Sequence, residues 1–110
     1  MNPKRHNLSI YKGSTYQQGF KFTQNGDIYP LTGYTAKAEI KPTAKSNVLT
    51  SSFTCTVSPA EGLITITLTA EQTAAIAVGN YEWDLKTTDG DGVVRYFLFG
   101  NVEVWGRVTV

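Results

Sequence analysis

Residues 80–104 read NYEWDLKTT-DGDG-VVRYFLFGNVEV, and the fold is decided there. In the first segment Tyr81, Trp83 and Leu85 alternate with Asn80, Glu82, Asp84 and Lys86. A period of two sends successive side chains to opposite faces of an extended chain, so this segment predicts a strand with one buried and one wet face. Asp89-Gly90-Asp91-Gly92 supplies the turn residues that close a hairpin. The second segment is denser in apolar residues, and Phe97 and Phe99 stand in opposite phase to Tyr96 and Leu98. Such density predicts a strand covered on both faces, or one that changes sheet part-way. Gly100 interrupts that strand and is read as a bulge.

Working outward, the same alternation recurs. Residues 8–12 set Leu8 and Ile10 against Ser9 and Tyr11, as an edge-type strand. Residues 16–23 put Tyr16, Phe20 and Phe22 in one phase, and Gly19 inside this run reads as a bulge or a close backbone approach. Asn25-Gly26 is a tight-turn signal. A short run at 28–31 contains Pro30, which suits an edge. In residues 34–41, Tyr34, Ala36, Ala38 and Ile40 face inward, and the two alanines leave room for a bulky neighbour, for which Trp83 is the candidate. Residues 42–47 read as a loop; Phe53, Cys55 and Val57 then share a phase, and Ile64, Ile66 and Leu68 mark a clean strand. Residues 69–78 break the pattern. Thr69 and Gln72 have the spacing of a capping box, and Gly79 suits the end of a short helix.

Seven or eight strands with turn signals every roughly 8–12 residues predict an all-β chain, an immunoglobulin-like antiparallel β-sandwich with one short helical crossover near 70–78. The expected organisation is a flexible arm at 1–6, one sandwich domain at 7–107 and a tail at 108–110. The arm is either frayed or docks on a neighbouring subunit.

Composition narrows the function. Of the 110 residues only 17% are charged, and the net charge is +1, which predicts no strong field for nucleic acid or for an anionic membrane. No apolar run approaches the length of a membrane span, and the first residues lack the apolar core of a signal peptide, so synthesis in the cytoplasm is expected. The single cysteine, Cys55, rules out an internal disulfide and reads as a small core residue.

Candidate chemistry is sparse. The one histidine, His6, lies in the polar N-terminal stretch, which disfavours a histidine-dependent nucleophile. Glu82 and Asp84 share a strand face at about 6.5–7 Å along the chain, a spacing open to carboxylate catalysis. An exposed face with charges offset by Lys or Arg accounts for them as well. The Asp-Gly-Asp-Gly link is explained by a turn without calcium. No catalytic residue, cofactor site or metal site is assigned. Tyr11, Tyr29, Tyr34 and Trp105 are the candidates for an exposed aromatic surface that would contact a protein or a sugar ring.

Three stretches carry a family likeness: residues 31–41 (LTGYTAKAEIK), 68–73 (LTAEQT) and 79–85 (GNYEWDL), with 93–104 completing the pattern and 10–15 (IYKGST) matching a first strand and its glycine. Together they resemble the small immunoglobulin-like virion proteins of tailed bacteriophages, including the N-terminal module of baseplate upper proteins. The resemblance implies a non-enzymatic component of a baseplate, tail, neck or capsid surface, assembled in the host cytoplasm. It would be present in several copies or as a homo-oligomer, with other virion proteins as partners and neither nucleic acid nor membrane among them. The alternative is a carbohydrate-binding or host-recognition module on the same scaffold, which would need Tyr29, Tyr34 and Trp105 coplanar and exposed.

Overall fold

The structure is a computed structural model that describes residues 3–43, 46 and 49–106. Ten strands appear in the order β1 Lys4–Arg5, β2 Leu8–Tyr11, β3 Tyr16–Lys21, β4 Thr23–Gln24, β5 Asp27–Ile28, β6 Thr35–Lys41, β7 Ser51–Ser58, β8 Leu63–Leu68, β9 Gly79–Thr88 and β10 Val94–Trp105. A 3-10 turn, Pro59–Glu61, precedes β8, and one short helix, α1 Ala70–Ala74, follows it. The fold is all-β. Eight strands form one mixed sheet in the order β1-β10-β9-β6-β7-β8-β3, with β2 also on β10, and β4-β5 form a separate hairpin.

The sheet curls because β7 changes partner along its length. Its first residues pair with β6, Ser51 opposite Ile40 and Phe53 opposite Ala38, whereas residues 54–58 pair with β8. Strands far apart in the sheet order therefore face each other. Phe20 of β3 stacks on Trp83 of β9 at 5.9 Å, and Phe22 meets Phe97 of β10 at 4.9 Å. The core lies between these arms, with Ile10, Ile40, Ile64, Ile66, Leu68, Leu85 and Val102 fully buried. Alternation predicts these positions: on β8 the isoleucines and Leu68 are buried, while Leu63, Thr65 and Thr67 are only half-covered.

Local signals place several turns and caps. Asn25 and Gly26 both take positive φ (54° and 84°), the mark of a type I′ hairpin between β4 and β5. The Thr69 side chain accepts from Gln72 N (3.1 Å) and the Gln72 side chain accepts from Thr69 N (2.8 Å), so the capping box forms. The helix ends at Ala75 rather than at Gly79, which instead opens β9.

Three expectations need correction. Residues 4–6 are not a loose arm: β1 lies parallel to β10, Lys4 opposite Leu98, and His6 N donates to Phe99 O at 2.8 Å. The expected tail at 108–110 lies outside the described residues. The bulge in β10 falls between Tyr96 and Leu98, not at Gly100. This extra residue turns Phe97 and Leu98 both inward and leaves Tyr96 and Phe99 exposed, which resolves the crowded phase of the segment. Gly100 is required for a different reason: a Cβ there would run into the carbonyl oxygen of His6. Trp83 lies in register with Ile40, and its ring packs on Phe20 and on Phe53, the residue opposite Ala38 on β7. Gly19 marks no bulge, since β3 and β8 stay in unbroken register.

Candidate functional site

The aromatic candidates fall into two separate pairs. Tyr11 and Trp105 are partners in the parallel β2-β10 ladder, so their rings emerge on the same face. They lie 6.5 Å apart with planes 25° from parallel, and both are exposed, at 60% and 47%. Beside them a shallow depression is lined by Val78, Asn80, Glu103 and Trp105. Tyr29 and Tyr34 belong elsewhere. Tyr29 is buried, its ring 5.4 Å from Phe97 and edge-on to Tyr34, with the two hydroxyls 3.4 Å apart. That hydrogen bond and then burial push the Tyr34 phenol above its ordinary range. The expected platform of Tyr29, Tyr34 and Trp105 is therefore overturned: one of the three is in the core, and its neighbour packs on it.

The carboxylates of the outer face are interleaved with lysines. Register sets Glu82 opposite Lys41, Asp84 opposite Glu39 and Lys86 opposite Lys37, and Lys37 reaches Glu39 at 3.6 Å. Burial pushes the Asp84 carboxyl up, with Lys41 pulling the other way. The depression over this strip holds about 80 Å³. Ligand sites usually offer roughly 300–1,000 Å³, so this one suits a few waters rather than a sugar ring.

Asp89 serves the turn that the sequence assigned to it. Its Oδ1 accepts from Asp91 N (2.9 Å) and Val93 N (3.0 Å), and its Oδ2 accepts from Arg95 at 2.8 Å. The Arg95 hydrogen bond, followed by those backbone bonds, holds the Asp89 carboxyl below its usual range. His6 is occupied too: its carbonyl accepts from the indole of Trp83, and its ring sits edge-on to Phe20 at 5.0 Å. Cys55 is half-buried against the core, and burial pushes its thiol up, away from the reactive thiolate. Among the described residues, no three His, Cys, Asp or Glu side chains are grouped to hold a metal ion, and no helix is long and apolar enough to cross a membrane.

No family model matches the chain, and no curated protein matches it.

Two features escape the sequence reading. One is a latch between the β2-β3 turn and α1. The Thr73 hydroxyl accepts from Gly13 N (3.0 Å) and donates to Ser14 O (2.8 Å), while Lys12 Nζ donates to Ala74 O (2.6 Å) and Ile76 O (2.8 Å). A lysine on the last carbonyls of a helix satisfies groups that the helix itself leaves unpaired. The other is a cleft of about 280 Å³ beside β3, lined by Phe20, Phe22, Phe97 and Leu98, with Lys4 and Lys21 at its rim. The in-phase Phe20 and Phe22 were its visible signal; the bulge that brings Phe97 to meet them had none.

Proposed function

We propose that this chain is a non-enzymatic docking module of a bacteriophage virion, present in several copies and acting through protein contacts. The observation that carries the reading is where the family-like residues sit. Gly33 occupies a positive-φ turn (81°), Thr69 and Gln72 cap the helix, and Trp83 and Leu85 fill the core. All are scaffold positions. The strand order is consistent with an immunoglobulin-like arrangement, with β2-β10-β9-β6 in one layer over β3-β8-β7 in the other. The expected location is the assembled particle, built in the host cytoplasm.

Mass spectrometry of density-purified particles tests this. The chain should band with intact particles and occupy a repeated position in their cryo-EM map. A chain found only in the soluble host fraction overturns the proposal.

The stacked Tyr11-Trp105 pair favours a second reading, a carbohydrate-binding module, because sugar rings pack on such faces. A glycan array separates the two. Binding that disappears in Tyr11→Ala and Trp105→Ala supports this second reading, and an array without hits removes it.

A further inference from the structure

β3 ends the curled sheet: β8 covers one side, and among the described residues no strand covers the other. The register shows which backbone groups are left open. Phe22 N donates to Gly62 O at 2.8 Å, on the β8 side and next in line after the Lys21-Leu63 pair. In an antiparallel strand, alternate residues turn their N–H and C=O toward the same neighbour. Tyr16, Gln18 and Phe20 therefore bond to β8, and Gln17, Gly19 and Lys21 turn their backbone groups outward. Among the described residues these groups meet no other backbone partner.

Open strand edges are usually blunted by short strands, charges, prolines or bulges. The β1-β2 edge is blunted in this way, by two short pieces that carry Lys4 and Arg5. On β3, six residues run in unbroken register with β8, with neither proline nor bulge, and Gly19 leaves the middle without a side chain. Immediately beside this edge is the phenylalanine-lined cleft, wide enough to take an aromatic or branched side chain. Lys4 and Lys21 stand at the rim, and among the described residues neither forms an ion pair.

We propose that the open edge of β3 accepts an extended segment of a partner protein carrying one apolar side chain flanked by carboxylates. The segment adds as a further strand on Gln17, Gly19 and Lys21. Its apolar side chain enters the cleft, and its carboxylates meet Lys4 and Lys21. A second copy fits less well: pairing β3 with itself about Gly19 would set Lys21 against Gln17 and bring unpaired lysines into the contact without any carboxylate. This inference deepens the docking reading above by naming its surface and its partner's chemistry.

The test titrates the ¹⁵N-labelled chain with the capped peptide Thr-Glu-Thr-Phe-Thr-Glu-Thr. Two controls are a version with lysine in place of glutamate and one N-methylated on its strand-facing amides. The parent peptide should shift the amides of Gln17, Gly19 and Lys21 and slow their hydrogen exchange. Both controls should bind at least about tenfold more weakly. The surface double variant Lys4→Glu, Lys21→Glu should reverse the preference between the glutamate and lysine peptides. Absence of shifts on β3, or equal binding of the N-methylated peptide, overturns the proposal. The titration needs no virion. A negative result leaves the virion reading to particle analysis, and absence from particles leaves a positive titration standing.

Discussion

The indole Nε1 of Trp83 donates to the backbone carbonyl of His6 at 2.8 Å, across 77 positions of the chain. One side chain thus joins the centre of β9 to the segment that carries β1, while its ring is held between Phe20 and Phe53. Trp83→Ala should cost about 3–5 kcal/mol, the range for emptying an aromatic site in a core. Urea unfolding measures it. A loss under about 1 kcal/mol would mean that the site collapses without penalty and that Trp83 is not an anchor.

Thr73 is fully buried and holds the β2-β3 turn against α1 through one hydroxyl. Thr73→Val keeps the shape and removes the hydroxyl, leaving Gly13 N–H and Ser14 C=O without it. Such orphaned groups cost about 1–3 kcal/mol. Thr73→Ser should retain most of the stability. Hydrogen exchange at the Gly13 amide provides a local check, since it should quicken in the valine variant and stay slow in the serine one.

The Asp89-Arg95 pair gives the chain an acid-sensitive turn. The folded-state pKa of Asp89 lies below its unfolded value. Its contribution is therefore present above the ordinary Asp value of about 3.9 and is lost as pH falls through the depressed native value. Asp89→Asn should be less stable than the parent at neutral pH, and the two melting temperatures should converge in strong acid. A gap that stays constant across that range would show that the charge is irrelevant and that only the turn's hydrogen bonds count.

What the sequence made legible was whatever depends on neighbours along the chain. The alternation at Tyr81, Trp83 and Leu85, the Asn25-Gly26 turn and the Thr69-Gln72 cap each follow from a few adjacent residues. What it hid depends on register between distant segments. The bulge at Phe97 is invisible as composition, yet it decides which aromatic faces Tyr29 and Phe22. The aromatic platform failed for that reason: Tyr29 looks like any tyrosine after a turn until Phe97 is known to lie 5.4 Å from it. The pairing of Tyr11 with Trp105 likewise requires the parallel alignment of β2 on β10, which alternation alone does not specify. The basic start of the chain looked solvated because its partners, Phe99 and Trp83, are nearly the whole chain away.

Gly100 and His6 offer the sharpest test of that distant contact. A methyl at position 100 meets the His6 carbonyl, and no positive φ is involved, so the penalty of Gly100→Ala is purely a matter of space. Removing residues 1–6 should itself destabilise the chain, because it orphans the buried indole N–H of Trp83, at about 1–3 kcal/mol, and deletes β1. Without those residues the His6 carbonyl is gone, and the added methyl meets only the Asn7 side-chain oxygen, at 3.0 Å. The two changes should therefore be non-additive: Gly100→Ala should weaken the full chain and cost clearly less in the shortened one, where only the Asn7 side chain has to shift. Residues in direct contact show coupling of about 0.5–3 kcal/mol in such cycles. Additive losses would mean that the methyl acts on β10 itself rather than on the chain's first strand.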